Sequence, residues 1–186
     1  EILHQLGMLE RFLQRPHSKI TQARGTVAGQ EVVIGEFRHL KTPAPFIAIM
    51  PQWDFLDFLR DEAAAFPAFT LQMESAVARL IVDDTRISGV ELTDGRVIHA
   101  RKLVIAADGR NSIVRRQQLL PVTELAAAID VFWFRVPKER DGGEALRGVV
   151  APGTLMALID RQDYWQCAYI FPKGMGAQLQ AEGIAR

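Results

Sequence analysis

The sequence predicts an α/β chain that runs on into an antiparallel sheet, an α+β arrangement of two structural units. Three observations lead there. "KLVIAA" at 102–107 is a short, continuous apolar run, the pattern of a strand covered on both faces, and it ends in Asp108-Gly109 before a polar segment that starts a helix. "TRISGVELTDGRVIHA" at 85–100 sets Asp94-Gly95 between two β-rich runs, a strong hairpin signal in which both central positions take positive φ. After Pro121, four runs of strand character follow one another with turn-forming residues between them. A buried parallel strand and an antiparallel sheet need different surroundings, so the chain divides in two.

The elements follow in order. Ile2, Leu3, Leu6, Leu9 and Leu13 recur at helical spacing, and Gly7 interrupts them, which predicts one kinked helix or two short ones. "TVAGQEVVIGEF" and "PFIAIM" are compatible with strands, with a turn near Gly29 and with Pro43 and Pro45 punctuating the second. "PQWDFLDFLRDEAAAF" reads as a helix whose apolar stripe is Trp53, Leu56, Leu59 and Ala63. Asp54, Asp57, Asp61 and Glu62 form its solvated face, and Pro67 stops it. "AFTLQM" reads as a short strand. "SAVARLIVDD", "TRISGVEL" and "VIHA" make a three-stranded meander. "DVFWFRV", "RGVVA", "TLMALID" and "YWQCAYIF" are the successive antiparallel strands, and "GAQLQAEGIAR" starts a helical pattern.

Bulk properties bound the function. The 186 residues allow one good domain or two small ones. Lys plus Arg equals Asp plus Glu at 22 each, so the formal net charge is zero and nothing favours nucleic acid. Cys167 is the single cysteine, so no internal disulfide forms, which fits a reducing, cytoplasmic location. No apolar run reaches membrane-spanning length. The start is amphipathic, without the basic leader and cleavage site of a secretory signal, and opens inside an expected helix, as a fragment would.

The corner "LVIAADGRNSIVRR" carries the chemistry. A glycine after the acid allows positive φ or close approach of main chain to a ligand. The first N–H groups of the following helix attract phosphate. Asn111 or Ser112 can cap that helix or bond a ligand, and Arg115 and Arg116 add fixed positive charge one turn on. The same residues can also do no more than shape a strand–turn–helix corner.

The run "GVELTDGRVIHARKLVIAADGRNSIVRR" resembles a segment of FAD-dependent monooxygenases of the p-hydroxybenzoate hydroxylase type. In that family a Val-x-Leu-x-Asp-Gly hairpin precedes a strand ending in Gly-Ala-Asp-Gly-x-x-Ser-x-Val-Arg. Asp108, Gly109, Ser112, Val114 and Arg115 match, and Ala106 stands at the first glycine. The resemblance covers nearly the whole chain. It implies a partial FAD-binding, Rossmann-like domain at 1–120, with an excursion of about 20–50 toward the substrate domain, and part of a substrate-domain sheet at 121–186. It also implies that Gln52 touches the ribityl chain and Val77 borders the adenine. Asp108 and Gly109 shape the cofactor site, with Ser112 in the same motif, and Arg115 lies near the path of the nicotinamide cofactor's pyrophosphate. The family's glycine-rich dinucleotide loop and its Gly-Asp motif are absent, so the chain reads as the middle of such an enzyme, expected to be inactive alone and to hold FAD weakly or not at all.

The implied activity is hydroxylation of an aromatic or other apolar ring substrate, using FAD and NAD(P)H through a flavin C4a-hydroperoxide. No side chain of the chain need act as acid or base for it. Trp165, Gln166 and Tyr169 are the substrate candidates. Alternation places Trp165, Cys167 and Tyr169 on one face and Tyr164, Gln166 and Ala168 on the other, and which face looks at a pocket stays open, as does the reading of Gln166 as an edge-strand residue facing water. The four histidines show no metal spacing. Two other readings stand beside the hydroxylase. One is a flavin reductase or halogenase on the same scaffold; the other is a non-catalytic domain that binds a ligand or a protein. Oligomeric state is not legible.

Overall fold

The computed structural model describes residues 1–117, 121–123, 125, 127–138, 146–161 and 163–183. It is a mixed α/β chain with mixed and antiparallel sheets. Its contacts divide it into one compact unit of residues 1–63 and 127–186 and a second of 64–126, so the second interrupts the first in sequence.

In the first unit the opening helical pattern becomes two short helices, α1 (Ile2–Gln5) and α2 (Leu9–Leu13), broken at Gly7. Strands β1 (Ser18–Ile20), β2 (Gln22–Val27), β3 (Gln30–Glu36) and β4 (Ile47–Ile49) follow, then α3 (Gln52–Ala63). β1 pairs antiparallel with β4, and β2 and β3 form a hairpin that turns at Ala28-Gly29. The helix α3 buries only part of the stripe that the sequence predicts: Trp53 and Leu56 are exposed and Leu59 and Ala63 half-buried, whereas Phe58, outside the stripe, is fully buried and Phe55 half-buried. The reason lies in α2: the Phe12 ring packs edge-on against Phe55 and Phe58, while Arg11 forms a two-pronged ion pair with Glu62 and Arg15 reaches Asp61. Two of the acids expected to face only water are therefore tied to the neighbouring helix.

The rest of the unit is β8 (Ile129–Pro137), β9 (Leu146–Ala151), β10 (Thr154–Asp160), β11 (Tyr164–Pro172) and α5 (Gly176–Glu182). Together with β2 and β3 they build a six-stranded sheet in the order β3-β2-β9-β10-β11-β8. Every neighbour is antiparallel except β2 and β9, which run parallel with Ala23 opposite Leu146. β11 lies between β10 and β8, and it supplies three of the chain's buried apolar side chains, Cys167, Ala168 and Phe171. The Phe132 ring, on the neighbouring strand, lies 4.5 Å from that of Phe171.

The second unit holds the meander of β5 (Val77–Asp83), β6 (Arg86–Leu92) and β7 (Val97–His99). Gly89 is needed where β6 meets β7, because a Cβ there would collide with the Ile98 carbonyl oxygen. The Asp94-Gly95 turn is real but of another type than expected: Gly95 alone takes positive φ, at 86°, and its amide donates to the Leu92 carbonyl. Asp94 instead accepts from the Arg96 amide and guanidinium, which fixes the turn with only one residue in the left-handed region. Two expected strands are absent. Residues 68–73 are irregular, and "KLVIAA" forms no strand pairing: Leu103 is 72% and Ile105 81% exposed. An apolar run supplies strand propensity, but a strand exists only where a neighbour takes up its backbone N–H and C=O groups, and the meander closes without it.

Candidate functional site

The corner at 108–117 is built from within the second unit. Asp108 precedes a single 3-10 turn, Gly109–Asn111, and Ser112 starts α4 (Ile113–Arg116). The Ile113 amide donates to Asp108 Oδ2 at 2.7 Å, so the acid closes the corner by taking one of the helix's unpaired N–H groups. This bond, and after it one from the Ser112 side chain, holds the Asp108 carboxyl below its ordinary range. Asp108 is therefore ionised at neutral pH and still exposed. Gly109 has φ of 75°, which a residue with a Cβ adopts only at a cost, and the space around its Cβ position is open. Main chain at this point thus faces outward without a side chain over it.

Arg115 donates from Nη1 to the Arg110 carbonyl at 3.0 Å, which brings its guanidinium back over the turn. Asp108, Gly109, Ser112 and Arg115 accordingly form one cluster, held together by bonds within ten residues of chain. Gln117 is the part that sequence reasoning missed. Its side chain accepts from the Leu80 amide at 2.8 Å and donates to the Leu80 carbonyl at 3.4 Å, pairing with β5 as another strand would. That anchors the corner to the meander. Nothing in the sequence marks this glutamine, because its partner is main chain 37 residues away. Val77, at the first residue of β5, is 37% exposed and opposite Leu92.

The remaining site candidates lie in the first unit. Gln52 is the exposed first residue of α3. Trp165 and Tyr169 share a face of β11 with buried Cys167 and Phe171. Trp165 is overlaid by two cations, Lys138 at 5.5 Å and Arg147 at 5.7 Å from its ring centre. Beside it Lys138 and Asp160 form an ion pair at 2.7 Å with both side chains almost wholly buried. Tyr169 packs near Phe171. Gln166 is on the opposite face, half-buried, and accepts from Arg161 Nε at 2.9 Å. It sits on an interior strand, so the edge-strand reading fails: neighbours on both sides occupy the backbone of β11. Burial raises the Cys167 thiol above its ordinary range, which leaves it a packing residue. Among the described residues, no group of three or more His, Cys, Asp or Glu could hold a metal ion. No helix among them is long and apolar enough to cross a membrane.

Residues 1–157 match the family described as FAD binding domain. The chain belongs to that family. The FAD binding domain fold is matched in solved structures as well. PqsL of Pseudomonas aeruginosa, titled a probable FAD-dependent monooxygenase, has a TM-score of 0.75 and 19% identity over 97% of this chain and 50% of its own. A flavoprotein/dehydrogenase of Cytophaga hutchinsonii has a TM-score of 0.77 and 17% identity over 95% of this chain and 45% of its own. The flavin-dependent halogenase CmlS has a TM-score of 0.77 and 16% identity over 98% of this chain and 34% of its own. The chain thus spans half the length of the first of these and less of the others. No curated protein matches the chain.

The corner's chemistry fits a nucleotide. An ionised carboxylate accepts from hydroxyl groups, the uncovered main chain at Gly109 admits close approach, and Arg115 and Arg116 offer charge to phosphate.

Proposed function

We propose that the chain is the middle part of an FAD-dependent, NAD(P)H-using monooxygenase acting on an aromatic or other apolar ring substrate. The observation that carries this reading is the corner: Gly109 in a left-handed conformation with open space over it, directly after an ionised, exposed Asp108, in a chain of the FAD binding domain family. In this reading residues 1–120, apart from about 20–50, serve the cofactor, and 121–186 carry the substrate sheet. The joining of β2 and β3 to β8–β11 in one sheet supports assigning the excursion to the substrate part.

FAD, when bound, supplies the oxygen and electron chemistry. The chain's residues bind and orient. Asp108, kept in place by its bond to the Ile113 amide, shapes the cofactor site together with Gly109, which lets main chain approach; Arg115 lies near the path of the nicotinamide cofactor's pyrophosphate; Gln52 and Val77 contact the ribityl chain and the adenine. Trp165, Tyr169 and Gln166 contact the substrate, Gln166 with its oxygen already oriented by Arg161.

Asp108→Ala in the whole protein tests this. Lower flavin content, or slower reduction by NAD(P)H, is expected at a thermal midpoint that stays high enough to show an intact fold. Unchanged flavin content and reduction rate would sink the assignment. For the 186-residue chain itself, a flavin absorbance spectrum after purification should show weak binding or none.

A further inference from the structure

Two arginines stand directly opposite each other on one face of the six-stranded sheet. The parallel register of β2 and β9 pairs Arg24 with Arg147, and both are exposed. Residues in register point to the same side, so the two side chains leave the sheet about 4.8 Å apart, the spacing of neighbouring strands. Like charges placed this way repel and weaken a sheet.

Neutral groups orient both guanidiniums. Arg24 donates from Nε to Gln22 Oε1 at 2.7 Å. Arg147 lies over the Trp165 ring, 5.7 Å from its centre. Trp165 is opposite Asp160, two residues beyond the partner of Arg147, so both heads lean toward the Gln22 end of the face. Neither arginine has an acidic partner among the described residues, whereas Arg11, Arg15, Arg38 and Arg60 of the same unit each pair with a carboxylate. The acids at the Gln22 end are already engaged. Glu36, opposite Gln22, accepts from Arg38 and from Gln22 itself, and Asp160 pairs with Lys138. Glu31 shares the face but lies opposite Thr26, toward the other end. Two oriented positive charges are thus left side by side without compensation. Exposed apolar groups border them: Val33 opposite Arg24, and Val149 two residues past Arg147.

We propose that this face binds a small organic acid, with its carboxylate between the Arg24 and Arg147 guanidiniums and its apolar body over the arginine stems, Val33 and Val149. A carboxylate accepts parallel N–H bonds from a guanidinium and relieves the repulsion between the two. The stems are apolar although the heads are charged, so they extend the surface that the valines offer. Gln22 and Trp165 act as positioning residues, because they hold the arginines and leave their charge free for the ligand. The site does not depend on the flavin reading, since it uses neither the Asp108 corner nor Gln166.

Titration of the isotope-labelled protein with benzoate, benzyl alcohol and inorganic phosphate, followed by amide and valine methyl shifts, tests the proposal. Benzoate is expected to move the signals of 22–26, 33 and 147–149. It should bind about three- to tenfold more tightly than benzyl alcohol, which has the body without the charge, and than phosphate, which has the charge without the body. Added sodium chloride should weaken benzoate and leave benzyl alcohol unchanged. Arg24→Gln and Arg147→Gln should each weaken benzoate about three- to fivefold, again without effect on benzyl alcohol. Benzoate shifts elsewhere or none at all, equal affinity for benzoate and benzyl alcohol, phosphate binding as tightly as benzoate, or unaltered benzoate affinity in both variants would overturn it. The comparison of the three ligands on the unaltered protein stands even if a variant misfolds.

Discussion

Leu103-Val104-Ile105-Ala106-Ala107 and Cys167-Ala168-Tyr169-Ile170-Phe171 are five-residue apolar runs of similar composition with opposite fates. The second is an interior strand, paired with β8 throughout and with β10 as far as Ile170, with Cys167 and Phe171 at most 2% exposed. The first has no ladder, and Ile105 is 81% exposed. Apolar content is equal in the two. What differs is whether neighbouring backbone is available, so hydrophobicity proposes a strand and hydrogen-bonded partners make it one.

The largest effect should come from comparing the two runs directly. Phe171→Ala removes a fully buried ring and is expected to destabilise the chain by about 3–5 kcal/mol, whereas Ile105→Ala should change it by no more than about 0.5 kcal/mol. Denaturant titration of both variants measures the difference; equal losses would mean that 103–107 is as well packed as β11. Lys138→Met comes next. It removes the ammonium that pairs with Asp160 where both side chains are buried, at a cost of about 3 kcal/mol, and Lys138→Met with Asp160→Leu should recover much of it. In the corner, Gln117→Ala removes both bonds to Leu80 and should cost about 1–2 kcal/mol, with faster amide exchange at Leu80 as the local sign. The smallest effect is a pH dependence at the sheet's edge. Glu36 accepts from the Arg38 guanidinium and amide and from Gln22, and its pKa is lowered from 4.5 to about 2. A carboxyl with a lowered folded pKa stabilises fully above its unfolded value. The clasp should therefore hold above pH 4.5 and be lost as pH falls toward 2, seen as a late Glu36 carboxyl titration and as loosening of β3 amides.

Much of this was legible in the sequence. The two short helices, the β2–β3 hairpin, the meander and the four strands from 129 to 172 all follow from periodicity and turn residues, which act locally. The motif around Asp108 was legible too, since its bonds span only a few residues. What was not legible depends on distant partners. Phe12 decides which face of α3 is buried. Leu80 decides what Gln117 does. The parallel pairing of β2 with β9 joins segments on either side of the whole second unit, and no local pattern marks it. Arg24 and Arg147 illustrate the same limit: each is unremarkable alone, and only that pairing sets them side by side.

The interruption of one unit by the other has a consequence for synthesis. As the chain leaves the ribosome, β2 emerges long before the strand that will lie parallel to it, and residues 64–126 appear between the two. The meander has all its strands at hand and can settle at once, while the six-stranded sheet must wait for residue 151 and beyond. During that delay β2 and β3 form an isolated hairpin, and the β2 edge that β9 will later cover stands open. That edge is where a nascent chain of this protein would first meet a chaperone or another copy of itself.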